Sequence, residues 1–252
     1  MRYLIMGTGG TGGYFGAKLA AAGEDVWCVA RGKHLEAMKQ HGLAVKSTGG
    51  TFTIPPEKVT GDPASIGEAD VVLFCVKAYD TESAARQLSP ILKTDSIVLS
   101  IQNGVDNAEK IRLELHRGLA YAGAAYISVR ISAPGEITES GGFQRIVFGP
   151  TSGRAVSRAA DIQSSFLRAG IKCDLQDNIN KELWKKFIFI ASMGALTALS
   201  RLTQGEILQN PRTLSLAFDA MREIQSIAWK LGVDVDPLDE AKVLEGLKRF
   251  DK

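Results

Sequence analysis

Three groups of residues in this chain have the types and spacing to do chemistry. Gly7-Thr8-Gly9-Gly10-Thr11-Gly12 fits G-x-G-x-x-G. In that turn the first glycine makes the bend, the second lets backbone approach a pyrophosphate, and the third lets a helix pack closely on a strand. Backbone N–H groups at the start of the following helix then face the phosphates. About 20 residues further on, where a site for NAD usually carries Asp or Glu for the ribose 2′-hydroxyl, this chain reads Val29-Ala30-Arg31-Gly32. A guanidinium there matches a 2′-phosphate through planar, charge-assisted hydrogen bonds, and Lys33 follows closely. The pattern favours NADP(H) over NAD. Lys77 and Gln102-Asn103-Gly104 close two later apolar runs, at the strand ends where open α/β sheets bind ligands. A lysine can meet phosphate or ribose oxygens, and an asparagine amide both donates and accepts. In the third group, Lys185 and Lys186 stand near the start of a long apolar helix. At 100° per residue Lys186 shares a face with Ile190, Met193 and Thr197. A lysine on such a face is costly unless it lines a cavity or meets a partner. Periodicity alone does not choose between Lys185 and Lys186.

These groups need a scaffold, and the hydropathy pattern supplies one. Arg2–Met6 is a short apolar run entering the glycines, Tyr14–Ala22 reads as a helix stopped by Gly23, and Asp25–Ala30 is a second buried strand. Val71–Val76, a helical stretch over Asp80–Leu92 and Ser96–Ile101 repeat the unit. Continuous apolar strands alternating with helices specify a parallel sheet covered on both faces. Leu43–Ile54 holds a Thr-Gly-Gly turn and reads as a small hairpin. Leu119–Ile131 reads as one strand, with a turn at Ala133-Pro134-Gly135 and further strands at Ile137 and Arg145–Phe148, so the sheet is expected to end in antiparallel additions. A helix from about Gly153 to Ala169 and a strand Ile171–Leu175 follow. From Asn180 onward only helices are expected, over 181–200, 204–209 and 211–231, and Phe187–Ser200 should be buried at the centre of that region. The expected architecture is therefore α/β: an N-terminal Rossmann-type doubly wound sheet over 1–178 and a second, all-helical domain over 179–252.

Composition limits the remaining classes. Thirty Lys and Arg against 28 Asp and Glu give a net charge of +2, too balanced for an electrostatic grip on nucleic acid or an anionic membrane. The longest uncharged stretch, Phe187–Ser200, is short of the roughly 20 residues a spanning helix needs. The chain runs from Met1 straight into a strand pattern, without the charged and apolar regions of a leader, and a cytoplasmic location is expected. Cys28, Cys75 and Cys173 each sit in a short apolar run and read as core residues in a reducing compartment. His34, His41 and His116 have no metal-ligand neighbours in sequence, and neither a zinc signature nor a nucleophile elbow is present.

Taken in order along the whole chain, Gly7–Gly12, Arg31, Val76-Lys77, Asn103-Gly104, Ala133-Pro134-Gly135 and Glu182-Leu183-Trp184-Lys185-Lys186 resemble the ketopantoate reductase (2-dehydropantoate 2-reductase) family. The helix opening ELWKK is the most specific element. The resemblance implies NADPH-dependent reduction of a 2-oxo acid, first of all ketopantoate to pantoate on the route to coenzyme A. It makes Lys186 the general acid, places Lys77 and Asn103 near the nicotinamide ribose, and gives Asn103 and Gln204 to the substrate. The cofactor set is then Gly7, Gly9, Gly10, Thr11, Gly12, Arg31, Lys77 and Asn103, with no metal, a small-molecule partner, and room for a homodimer. Two departures stand out. Ile190 and Gly194 occupy positions where the family usually presents asparagines to the substrate, each lost hydrogen bond being worth about 1–3 kcal/mol. A Ser and a Glu that the family carries would fall beyond Lys252, so that either the gene product is short or its C-terminal part is missing here, and no residue present replaces them. A reductase of a bulkier or less polar 2-oxo acid, a dehydrogenase of glycerol 3-phosphate or a hydroxyacyl thioester, and a non-catalytic NADP-binding sensor are the alternatives. Arg31 and the ELWKK helix weigh against the second of these.

Overall fold

The uncharged apolar runs become strands buried on both faces. The computed structural model describes residues 1–153 and 156–248, and they divide into two units, Met1–Ile179 and Asn180–Lys252. The first unit runs β1 (Arg2–Met6), α1 (Gly10–Ala21), β2 (Asp25–Val29), α2 (Gly32–His41), β3 (Leu43–Ser47), β4 (Gly50–Ile54), β5 (Val59–Thr60), β6 (Ala69–Phe74), α3 (Thr81–Arg86), β7 (Leu92–Ser100), α4 (Asn107–Glu114), β8 (Leu119–Tyr126), β9 (Val129–Ala133), β10 (Glu136–Glu139), β11 (Arg145–Gly149), α5 (Ser157–Arg168) and β12 (Lys172–Leu175). Eight strands form one sheet in the order β12-β11-β8-β7-β6-β1-β2-β5. All neighbours pair in parallel except β8 with β11. Residues of β1 alternate between two cores. Tyr3 and Ile5 pack with Phe15, Leu19, Ile162 and Phe166, whereas Leu4 and Met6 pack with Val72, Phe74, Leu88 and Ile91. Each such side chain contributes about 1.5–3 kcal/mol by leaving water. The fold is the doubly wound α/β arrangement that the run of apolar strands requires.

The chain crosses from β2 on one side of β1 to β6 on the other. That reversal opens a crevice at the carboxyl ends of the strands. Any functional group at the ends of β1, β2 and β6 is therefore held in one place.

Several elements differ from the sequence expectation. Leu119–Ile131 is two strands in different sheets: β8 ends at Tyr126, and β9 joins β10, β3 and β4 in a separate four-stranded sheet. The hairpin of β3 and β4 is present. β3 also pairs in parallel with β10, Ala44 opposite Glu136, so only β11 adds an antiparallel strand to the main sheet. This small sheet covers the outer side of α1: a side chain at Gly13 would bring its Cβ within 2.2 Å of Ile137 Cδ1, while one at Gly16 would meet Ile5 of the main sheet at 2.8 Å. α1 lies between two sheets, and its glycines give both of them room. α3 is only six residues long and α5 starts at Ser157. α2 was not anticipated, because its residues 32–41 are mostly charged and polar.

The second unit holds α6 (Asn180–Ser200), α7 (Gln204–Gln209), α8 (Pro211–Lys230) and α9 (Glu240–Lys248). α6 ends where Arg201 takes a left-handed backbone, φ 59°, and Thr203 and Glu206 form a capping box that starts α7. The expectation of a buried α6 fails over its last two turns. Gly194, Ala195 and Ala198 are exposed, and Leu199 is 84% exposed. Burial is confined to Leu183, Trp184, Ile188, Ser192 and Met193, and the helix packs on α7 and α8. By length and composition α6 is apolar enough to cross a membrane. Its charges, however, fall in the first seven residues, and the remaining 14 span about 21 Å against the ~30 Å of a hydrocarbon core.

Candidate active site

The glycine turn is built so that one glycine is left open. Gly7 has φ +97°, a conformation that favours glycine, and a Cβ there would lie 2.8 Å from Val76 N. A Cβ on Gly12 would sit 2.5 Å from Gly7 O and 2.9 Å from Ile5 Cγ2, and one on Gly10 would press on Val129. Above Gly9 nothing lies within 4 Å. So Gly7, Gly10 and Gly12 are required by protein neighbours, and Gly9 is the one facing free space. Gly9 is also the N-cap of α1, with no side-chain cap and no acidic residue in the first turn. The first amides of that helix have no carbonyl within the helix to bond, which leaves donors for an anion.

The turn is strapped to the end of β2. Gly7 N, Thr8 N and Thr8 Oγ1 all donate to Val29 O, at 3.3, 2.9 and 3.0 Å. Next to it, a cavity of about 320 Å³ is lined by Met6–Gly9, Val29–Arg31, His34, Gly61, Cys75–Lys77, Asp80, Ser83, Ala84, Gln87 and Ile131. It sits in the crevice at the ends of β1, β2 and β6. Of the residues picked out from sequence, Gly7, Gly9, Arg31 and Lys77 line it. Gly10, Thr11, Gly12 and Asn103 do not.

Lys77 and Asn103 follow the adjacent strands β6 and β7, and Gln102 ties their loops together. Its Nε2 donates to Val76 O and Thr81 Oγ1, both at 2.9 Å, and its Oε1 accepts from Ser100 Oγ at 2.9 Å. Both Lys77 and Asn103 are exposed, and the Asn103 carbonyl accepts from Asn107 Nδ2 at 3.0 Å. Gln102, nearly buried, is therefore a brace, whereas Lys77 and Asn103 are available to a ligand.

Among the cavity residues that sequence reasoning missed, Asp80 and His34 make the long-range contacts. Asp80 accepts from Arg31 Nη2 at 2.7 Å, a contact across 49 residues with no local signal. His34, in α2, accepts from Gly135 N at Nδ1, 2.9 Å, linking α2 to the turn between β9 and β10. Burial pulls its imidazole below the usual value, opposed by the Thr8 backbone. The Ala133-Pro134-Gly135 turn supplied the only hint that this link exists.

In the second unit the two lysines of α6 part ways. Lys185 is exposed and, with Lys181, clamps Asp236 at 3.2 and 2.7 Å. Lys186 lies 100° around the helix, partly buried, and desolvation pulls its ammonium from 10.5 to about 8. At neutral pH it stays mainly protonated and becomes a better proton donor, since an acid works best when its pKa is near the working pH. Ile190 and Thr197 on its face are half-buried, Met193 is buried, and Gly194 is exposed; Gln204 is the first, half-buried residue of α7.

Comparison with known proteins gives the family. The family model described as ketopantoate reductase PanE/ApbA matches residues 3–153, and its C-terminal companion matches residues 178–251. The chain belongs to the ketopantoate reductase family. Among relatives of that family, a 2-dehydropantoate 2-reductase of Archaeoglobus fulgidus is 31% identical over 96% of this chain and 78% of its own length. An uncharacterized oxidoreductase of Bacillus subtilis, YkpB, is 29% identical over 94% of this chain and 78% of its own. The crystal structure of 2-dehydropantoate 2-reductase from Porphyromonas gingivalis superposes with TM-score 0.83 at 31% identity, covering 99% of this chain and 88% of that one. A D-mandelate dehydrogenase solved with NADH and anilino(oxo)acetate has TM-score 0.87 at 18% identity, covering 98% and 78%; that likeness concerns the fold. As a member of the ketopantoate reductase family the protein is an oxidoreductase that works with a nicotinamide dinucleotide.

Proposed function

We propose that this protein reduces a 2-oxo acid with NADPH, ketopantoate to pantoate being the first candidate, and that it does so in the cytoplasm. The observation that carries the cofactor half is the crevice where Gly9 alone faces open space and Arg31 stands at the rim. Backbone amides of the glycine turn would hold the pyrophosphate, the Arg31 guanidinium the 2′-phosphate, and Lys77 and Asn103 the ribose beyond. NADPH, when bound, supplies hydride to the carbonyl carbon. Lys186 delivers the proton to the carbonyl oxygen, and its depressed pKa leaves it protonated at pH 7 and ready to give that proton up. Asn103 and Gln204 are the substrate-binding residues of this reading.

The substrate half rests on the relatives' names and is tempered by Ile190 and Gly194, about one and two turns beyond Lys186, which present an aliphatic side chain and no side chain. That observation favours, as a second reading, a 2-oxo acid with a bulkier or less polar tail. Initial rates with NADPH against a panel of 2-oxo acids test both. Turnover of ketopantoate at the highest kcat/KM supports the first reading, and a clear preference for an aryl or branched 2-oxo acid the second. Binding of NADPH with turnover of none would show a nucleotide-binding sensor instead.

A further inference from the structure

The Asp80 carboxylate occupies an unusual place. It stands at the N-cap of α3, where an aspartate ordinarily accepts a hydrogen bond from the first-turn amides. Asp80 makes no such bond. It reaches instead across the crevice to Arg31 Nη2 at 2.7 Å, while its own backbone carbonyl takes the Ser83 hydroxyl at 3.0 Å. Arg31 is largely exposed, 78%, and Asp80 much less so, 24%. Both line the same cavity. The guanidinium that would receive a 2′-phosphate thus already has a carboxylate at its side.

We propose that Asp80 is a specificity-determining residue that opposes NADP(H) and admits NAD(H), so that the site accepts both cofactors with a small preference. This rests on the reading that a nicotinamide dinucleotide lies in the crevice with its adenosine ribose at Arg31. Two chemistries meet at that spot. With a 2′-hydroxyl, the carboxylate is an acceptor of the kind NAD sites use, and the Arg31–Asp80 pair can persist. With a 2′-phosphate, the guanidinium has to turn from Asp80 to the phosphate, and the remaining negative charge faces the new one. Little opposes that turn, because so exposed an ion pair is worth little in water. The residual like charge is what narrows the preference.

The test is equilibrium titration of NADPH and NADH into the full chain at one low ionic strength, for the wild type, Asp80→Ala and Gly9→Val. Wild type should bind the two within about tenfold of each other. Asp80→Ala should tighten NADPH by about tenfold, the equivalent of about 1.4 kcal/mol, and weaken NADH several-fold. Shifts of opposite sign are a signature that a merely structural loss cannot give. The tightening should shrink as salt is added, because the opposing charges are near solvent. Movement of both cofactors in one direction, or an unchanged NADPH affinity, would overturn the assignment of Asp80. Gly9→Val should abolish both. Should it leave both affinities intact, the dinucleotide is elsewhere and the parent reading fails; should it abolish both while Asp80→Ala moves them alike, only the role of Asp80 fails.

Discussion

Lys186→Met should make the protein more stable while removing its reductase activity. The side chain stays unbranched, loses one atom of its length and loses its charge. Burial holds the Lys186 ammonium at about 8 instead of 10.5, so the fold favours the neutral form. At about 1.4 kcal/mol per tenfold change in proton affinity, that depression corresponds to about 3.5 kcal/mol against folding, and partial exposure lowers it to about 2 kcal/mol. The folded value lies below the unfolded one, so between pH 8 and 10.5 the unfolded chain binds more protons and stability rises with pH. The penalty is fully present below pH 8 and gone above 10.5. Urea unfolding followed by tryptophan fluorescence reads this directly, since Trp184 and Trp229 lie in the same unit as Lys186. The variant should exceed the wild type by about 2 kcal/mol at pH 7, and the gap should close as pH approaches 10.5. A variant less stable than wild type at pH 7, or a gain that does not change with pH, would refute the desolvation argument and with it the tuning of this lysine for proton transfer.

Lys186→Ala should lower kcat by about 10²–10⁴-fold, whereas Lys185→Ala, which only frees one arm of the exposed clamp on Asp236, should leave it within a factor of two or so; steady-state rates decide. In the wild type kcat should fall as pH rises through about 8, and that limb should vanish in Lys186→Ala. The glycine turn should separate binding from folding: Gly9→Ala should weaken NADPH with little change in thermal stability, because its Cβ would point into open space, while Gly12→Ala should destabilise by about 1–3 kcal/mol because its Cβ would press on Gly7 O and Ile5. Ile190→Asn combined with Gly194→Asn should raise kcat/KM for ketopantoate relative to less polar 2-oxo acids; an improvement for the apolar substrates instead would reverse the argument from these two positions.

What could be read from sequence, and what could not, follows the range of the interactions involved. β1, the glycine turn, α1 and β2 are specified within 30 residues by an apolar run, a turn that needs glycine and a helix stop, and the crevice follows from them. β10 pairs with β3, about 90 residues away, and β9 joins that sheet only through β10; their short alternating runs look the same whichever sheet they join. No turn signal at Ile127-Ser128 marks the change of sheet. Lys186 could be separated from Lys185 on structural grounds only once Asp236 was seen to take the latter. Asp80 was hidden for the same reason: its type suits a helix start, and only the folded chain shows it turned toward Arg31. α6 misled in the opposite sense, since an apolar run records what a helix can bury and not whether a neighbour is there to bury it.

The Val29 carbonyl, with three donors converging on it, has a consequence for the kinetics of binding. A loop that must close on a ligand loses conformational freedom at the moment of capture, and that loss subtracts from affinity. Here the glycine turn is locked by the end of β2 through contacts that form as the sheet assembles, so its entropy is surrendered during folding. Capture of a dinucleotide's phosphates should therefore resemble insertion into a rigid socket. The amide protons of Gly7 and Thr8 should exchange with solvent as slowly as those of β1 whether or not nucleotide is present, and association should be governed by encounter and charge, with differences among nucleotides expressed in how fast they leave.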